Sequence, residues 1–477
     1  MAMRSRIRRH LGALLNQEAT KMRALALEAA GEQKSIIPPC ELNGRQYAVV
    51  LLQVAASIEH ALMIEYLYAA HSLGGSQVPE SRVVEVARWR EIILGIAKEE
   101  MGHLMTIQNV LRCIGGPLSL EREDYPWDSE FYPFPFRLEP LTRQSLAKYV
   151  YSESPSPDEF SGPEAEEIHA LALQGSGNGT VHRVGALYDL LERLIRDSEH
   201  VLDSTFREET FPFQANWDEW GRGYQAGARG SAMGSAIPRT PDLLILPVVA
   251  RTDALDALDR IAKQGEANPT ADDSAPSHFA RFLRIFREFP KDGSWSPARD
   301  IAVNPIVADE NGPVAREHES TIITDPQAVK WAHLLNLRYR LLLVNLLHTF
   351  EYPNDLSEHS QFTPRGLLIH STFGEMYNLR ALTEILMETP LALGSQRFAG
   401  PPFQMPYTLK LPIDAIDKWN VHLDIIEASC KLIAELQYDG QKHTSYLRAL
   451  KEADSQVAKS LHSISRTLRA STVTQSF

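Results

Sequence analysis

The stretch Ile96-Ala97-Lys98-Glu99-Glu100-Met101-Gly102-His103-Leu104-Met105-Thr106 constrains this chain more than any other. Ile93, Ile96, Ala97, Leu104, Ile107 and Leu111 recur at the spacing of an amphipathic helix, and Glu100 and His103 fall inside that apolar stripe. Residues three apart on a helix share a face, so this carboxylate and this imidazole point the same way, into the core. A charge buried without a partner is too costly to keep. A Glu-x-x-His pair on a bundle helix commonly avoids that cost by holding a metal ion. The plainer alternative is a hydrogen-bonded core histidine beside a helix-surface glutamate. For an isolated pair that alternative is the commoner one.

The flanking segments give the pair a setting. From about Arg45 to Ser72 runs an apolar helix with Leu52, Ala55, Glu59, Leu62 and Tyr66 at i, i+3/i+4 steps. Glu59 lies in that line and faces inward, whereas His60 and Glu65 lie off it. Gly74-Gly75 and Pro79 close this helix, and a second runs from about Ser81 to Ile114, where Gly115-Gly116-Pro117 stops it. Two such helices joined by a short turn form an antiparallel hairpin that brings Glu59 toward Glu100 and His103. That is half of a four-helix bundle with a carboxylate-rich site. A third helix is expected over about His182–Phe211, one capped by Asp253 over Ala254–Gln264, and one over His278–Phe289, with Leu243–Ala250 a buried strand or a helix start. Glu266 and His278 are the best candidates for the other half of the site, although they flank a break at Asn268-Pro269 and Pro276. Oxygen and imidazole ligands of this kind suit iron or manganese.

Composition excludes several classes. A net charge of −13 over 477 residues gives no basic footprint for nucleic acid. No window is expected to span a bilayer, and the basic N-terminal stretch lacks the apolar run of a signal peptide. The three cysteines Cys40, Cys113 and Cys430 are too few and too scattered for a disulfide framework or a thiolate metal site, which points to the cytoplasm. Neither a phosphate-binding glycine loop nor a nucleophile elbow occurs. The expected organisation is all-α. Residues 1–44 form a helical arm that packs on the body or on a second copy in a homodimer, and residues 45–290 form the metal-binding bundle. Residues 291–477 form a C-terminal helical region packed on it, with helices over about 325–350, 366–388, 411–438 and 443–468.

Several strings together resemble a known family. Ile58-Glu59-His60-Ala61-Leu62 with Tyr66-Leu67, Ala97-Lys98-Glu99-Glu100-Met101-Gly102-His103 and Gly115-Gly116-Pro117 look like the ferritin-like domain of the iminophenyl-pyruvate dimer synthases, enzymes of violacein and related bisindole pathways. The resemblance continues through Tyr151-Ser152-Glu153-Ser154-Pro155, Gln264-Gly265-Glu266, Ser277-His278-Phe279 and Asn304-Pro305, and ends near Ala399-Gly400-Pro401-Pro402-Phe403. It implies metal ligands at Glu59, Glu100, His103, Glu266 and His278. One departure stands out. Where the family shows a Gly-Glu-Phe-Tyr-like string, this chain reads Gly185-Ala186-Leu187-Tyr188, and Ala186 cannot bind a metal. Either Asp189 or, less well placed, Glu192 substitutes, or the site holds one ion where relatives hold two.

The function expected from these readings is a non-haem iron or manganese oxidoreductase of specialised metabolism. It would use oxygen or peroxide on an amino-acid-derived small molecule, with Glu99 or Glu65 as an outer partner of the ligands. No particular residue is assigned to catalysis. The alternative is a non-catalytic ferritin-like binding or scaffold protein whose site has degenerated, as Ala186 hints.

Overall fold

The computed structural model describes residues 42–128, 131–177, 179, 181–220, 243–266, 276–291, 293–308, 320–354, 363–438 and 442–474. The expected N-terminal arm up to residue 41, the glycine-rich stretch from Gly221 to Gly234 and the Asn268-Pro269 break lie outside the described residues. The chain divides into two compact units that meet at Arg299 and Asp300. Among the described residues the only strands are two residues long, and the architecture is all-α.

In the first unit, helix α1 (Gly44–Ser72) begins with a capping box in which Asn43 and Gln46 satisfy each other's backbone amides. Helix α2 (Val83–Cys113) runs back beside it and ends as the sequence expects. Gly115, at φ +68°, takes the left-handed conformation, Gly116 N–H donates to Leu111 O at 2.7 Å, and Gly115 N–H donates to Arg112 O at 3.0 Å. This is the paired closure that spends the last free carbonyls of a helix.

Helix α1 is buried on more sides than its periodicity predicts. His60 and Glu65, which lie off the apolar line, are both buried. The reason is the Pro- and aromatic-rich segment after α2, which covers the far face of α1. Tyr132 and Ser57 share a hydroxyl bond of 2.7 Å, His60 Nδ1 lies 3.0 Å from Leu120 O, and Arg137 N–H donates to Glu65 Oε1 at 2.8 Å. The same composition makes α1 long and apolar enough to cross a membrane, contrary to the sequence expectation, with 72% of its most apolar window buried inside the fold. Here it is the central helix of a packed unit.

The remaining elements are shorter. Helix α3 (Arg143–Ser152) and helix α4 (Pro163–Gly175) are not anticipated by the sequence; α3 is set by a second capping box, Thr142 with Ser145. Helix α5 (Gly185–Arg196) stops well short of the expected Phe211 because Asp197 Oδ1 accepts from Glu199 N–H at 2.9 Å and His200 N–H at 3.3 Å, turning the chain into two 3-10 turns. Residues 243–248 are neither strand nor helix. Their backbone is bound by side chains of α2: Thr106 takes Leu246 N–H and donates to Leu244 O, and Asn109 donates to Leu246 O at 2.9 Å. Gly102 allows this approach, since a Cβ there would lie 3.1 Å from Leu244 N. Helix α6 (Arg251–Glu266) and helix α7 (His278–Glu288), the latter capped by Ser277, complete the unit.

The second unit holds a two-residue parallel pair, β1 (Pro305–Ile306) with β2 (Thr321–Ile322), and four helices close to those expected: α8 (Pro326–Thr349), α9 (Pro364–Leu386), α10 (Ala415–Tyr438) and α11 (Thr444–Thr474). At its centre Arg338 is fully buried and donates to Asp454, to Glu375 at 3.2 Å and to Ser429 at 2.6 Å. Removing one partner of such a group leaves an uncompensated buried charge. We expect Asp454→Ala to lower stability in urea unfolding by about 3–5 kcal/mol, and a loss under about 1 kcal/mol, the value typical of a solvated pair, would contradict that role.

Candidate metal centre

Helices α1 and α2 place three groups at mid-helix, where periodicity decides direction. His103 Nδ1 lies 2.8 Å from Glu100 Oε2 and 3.3 Å from Glu59 Oε2. A second cluster forms on the other side of Glu100. His278, the first residue of α7, places Nδ1 2.9 Å from Glu100 Oε1 and 3.6 Å from Glu153 Oε2. Glu59, Glu100, His103, Glu153 and His278 are at most 3% exposed. In each group, Glu59–Glu100–His103 and Glu100–Glu153–His278, the nitrogen and oxygen atoms lie within 4.8 Å of one another. Glu100 belongs to both.

Tyrosines hold the outer carboxylates in place. Tyr188 O–H donates to Glu59 Oε1, and Tyr66 O–H donates to Glu153 Oε1 at 2.5 Å. Behind the rings, His103 Nε2 meets Gln264 Oε1 at 2.8 Å, and His278 Nε2 meets Glu99 Oε2 at 2.9 Å. Arg281 binds both oxygens of Glu99, with Nη1 to Oε1 at 3.1 Å. The two rings lie near parallel with centroids 5.4 Å apart.

The donor set fits a divalent cation. Every group is carboxylate or imidazole, and Glu59, Glu100, His103 and Glu153 line a cavity of about 10 Å³, room for an ion or a single water. Glu100 Oε1 and His278 Nδ1 face each other at 2.9 Å as an ion pair, and neither has a well-aligned hydrogen-bond partner. Buried polar atoms are rarely left so.

Left to themselves, these residues balance charge with protons. Burial, reinforced by the neighbouring Glu100, pushes Glu59 up to about 8. Burial also pushes Glu100 upward, but His278 and His103 outweigh it and hold Glu100 well below the usual carboxylate range. The imidazoles answer in kind. Burial would lower His103, but Glu100 and Glu59 raise it to about 10, and Glu100, Glu153 and Glu99 carry His278 upward against its own burial. A metal ion would have to displace those protons.

The other expected residues fall differently. Glu266 lines the same cavity but belongs to neither group; its Oε2 lies 3.9 Å from Arg183 and its Oε1 presses on Gly185, where a Cβ would sit 1.4 Å away. Burial raises Glu266 to about 8. Asp189 is exposed on α5, and Glu192 pairs with Arg196 at 3.4 Å, so neither fills the place left by Ala186. Glu65 is spent on Arg137 N–H, whereas Glu99 stands behind His278 and is buried rather than solvated. Tyr66 lies in the apolar line of α1, whereas Glu153, Tyr188 and Gln264 carry no helical-spacing signal. Glu153 is the C-cap of α3, beyond the reach of any periodicity argument, though it sits in the Tyr-Ser-Glu-Ser-Pro string of the family resemblance.

Residues 52–287 match the family model described as Ferritin-like, and this part of the first unit is a ferritin-like domain. Dichlorochromopyrrolate synthase of Lentzea aerocolonigenes is 26% identical over 411 residues, covering 76% of this chain and 36% of that protein. The 2-imino-3-(indol-3-yl)propanoate dimerase of Chromobacterium violaceum is 27% identical over 164 residues, covering 28% of this chain and 16% of the relative. The chain thus spans about a third or less of the length of these two relatives. A ferritin-like protein from Caulobacter vibrioides is 18% identical, with 69% of this chain and 94% of that one covered and a TM-score of 0.38.

Glu99 tests how tightly the outer layer is built. It is buried between His278 and the guanidinium of Arg281, so Arg281→Met is expected to cost about 3 kcal/mol of stability, as for other broken buried pairs. Chemical unfolding would read this; an effect near zero would show that Glu99 is neutral or solvated in the fold.

Proposed function

We propose that this chain is a metal-dependent oxidoreductase of specialised metabolism that acts on an amino-acid-derived small molecule. The observation that carries the reading is Glu100, one buried carboxylate that offers an oxygen to each of two Glu/His groups. A single ion needs only one such group, so the doubling supports two ions. Glu59 and His103 would hold one, Glu153 and His278 the other, and Glu100 both. Glu153 would supply the carboxylate that Ala186 lacks, which favours this reading over a degenerate, non-catalytic scaffold.

Iron is the ion that best joins this donor set to an oxidative role, with manganese second. When bound, it would supply one-electron redox chemistry toward oxygen or peroxide. The protein's part is to fix the ligands. Tyr188 and Tyr66 orient Glu59 and Glu153, and Leu62, Val184, Ile261 and Ala262 give the cavity an apolar flank. Glu266, protonated by burial near neutral pH, can donate or take a proton at the cavity wall. One relative is named for a chromopyrrolate product and the other for the indole-bearing imino acid that it dimerises, which supports an aromatic amino-acid-derived imino acid as the substrate class. The cytoplasm is the compartment we assign.

Metal analysis of protein purified without chelator is the direct test. Two equivalents of iron or manganese are expected, both lost in Glu100→Ala and about one lost in Glu153→Ala, while Asp189→Asn and Glu192→Gln keep both. Retention of both ions in Glu100→Ala would refute the shared-carboxylate reading. Proton balance gives a second check. Because Glu59, His103 and His278 hold protons that the ion displaces, uptake should release protons, and affinity should rise with pH between about 6 and 8. Calorimetry in buffers of differing ionisation enthalpy would show this as a buffer-dependent heat, and a buffer-independent heat would refute it.

A further inference from the structure

Around Glu100 the two Glu/His groups and their tyrosines are nearly symmetric in composition. Glu59, His103 and Tyr188 stand on one side, and Glu153, His278 and Tyr66 on the other. Behind the rings the symmetry ends. His103 Nε2 meets the neutral amide oxygen of Gln264 at 2.8 Å, while His278 Nε2 meets the carboxylate of Glu99 at 2.9 Å, itself clamped by Arg281.

Building on the metal reading above, we propose that Glu99 and Gln264 are positioning residues that make the two halves of the centre unequal, so that the His278 half takes its ion first and the His103 half second. With Nδ1 of each ring turned toward the carboxylates, Nε2 carries the proton and its acceptor fixes the tautomer. A carboxylate acceptor draws that proton more strongly than an amide and makes Nδ1 the better electron donor. Arg281 tempers the charge of Glu99 but also locks it, and with it the plane of His278. The bond behind His278 remains charge-assisted, and the one behind His103 is neutral. The tyrosine bonds to Glu59 and Glu153 are alike, so they do not offset the difference. The reading also gives a use to two residues that no ligand argument absorbs, Glu99 beside the Glu-x-x-His pair and Gln264 two residues before Glu266.

The test is a titration of the metal-stripped full chain with Mn²⁺ under argon, following free ion by electron paramagnetic resonance. The wild-type chain is expected to bind two ions in steps separated by about tenfold or more, since outer partners of metal-bound histidines are commonly worth about 10–100-fold in affinity. Glu99→Gln should weaken the first step by about 10–100-fold and leave the second, merging the two. Gln264→Glu should tighten the second step by about tenfold and leave the first. A gain of affinity cannot come from structural damage, so Gln264→Glu decides the matter even if Glu99→Gln fails to fold. Two equal steps in the wild-type chain, an equal loss at both steps in Glu99→Gln, or an unchanged second step in Gln264→Glu would overturn the inequality while leaving the metal reading intact. A wild-type chain that takes up no ion would overturn the metal reading itself.

Discussion

Glu100 lies between two imidazoles, within 3 Å of a nitrogen of each, and is 2% exposed. A carboxylate so placed cannot be solvated, and its burial is tolerable only while its partners stay fixed. The rest of the first unit can be understood as the means of fixing them. α1 and α2 run side by side to bring Glu59 and His103 to one oxygen, and the end of α3 and the start of α7 bring Glu153 and His278 to the other. Tyr66, Tyr188, Gln264 and Glu99 then occupy the remaining donors and acceptors of those four groups. A cation at Glu100 would replace several protons held against their ordinary preferences, which is why the same cluster is both a stability cost and a ligand set.

The surroundings show how a helix with polar groups on several faces can still be a core helix. α1 carries Glu59, His60 and Glu65 within seven residues, and all three are buried. Each is satisfied from a different direction: Glu59 from α2 and α5, His60 from Leu120 O, and Glu65 from Arg137 N–H. The covering segment after α2 does this work without regular secondary structure, because its backbone groups are used one at a time by side chains of α1. The same device recurs on α2, where Thr106 and Asn109 take the backbone of residues 243–248. Irregular chain can cover a bundle when the bundle supplies its hydrogen bonds.

Legibility in the sequence follows position along the helices. Glu59, Glu100 and His103 sit at mid-helix, where a 3.6-residue period fixes the direction of a side chain, and their convergence is readable from spacing alone. Glu153 is a C-cap, His278 is the first residue of α7, and Glu266 is the last of α6. At helix ends the period has no hold, and direction depends on how the end is docked. His278 and Glu266 are candidates by residue type and by family resemblance, and His278 lies within the cluster while Glu266 lies at the cavity wall; Glu153 is outside the candidate set. Asp189 and Glu192 lie three and six residues from Ala186, near enough in sequence to replace it. α5, however, turns Tyr188 inward rather than either carboxylate.

The sequence by itself determined the all-α class, the α1–α2 hairpin with its glycine stop, and one half of the centre, because apolar periodicity and capping are local and carry direction with them. Only the tertiary structure decided that Glu100 is shared, that Glu153 stands opposite Glu59, and that Glu99 and Gln264 back the two rings unequally. Those facts rest on contacts between residues 125 to 182 positions apart, formed at helix ends and across helix faces. No local pattern fixes such contacts, since they depend on where whole helices come to rest.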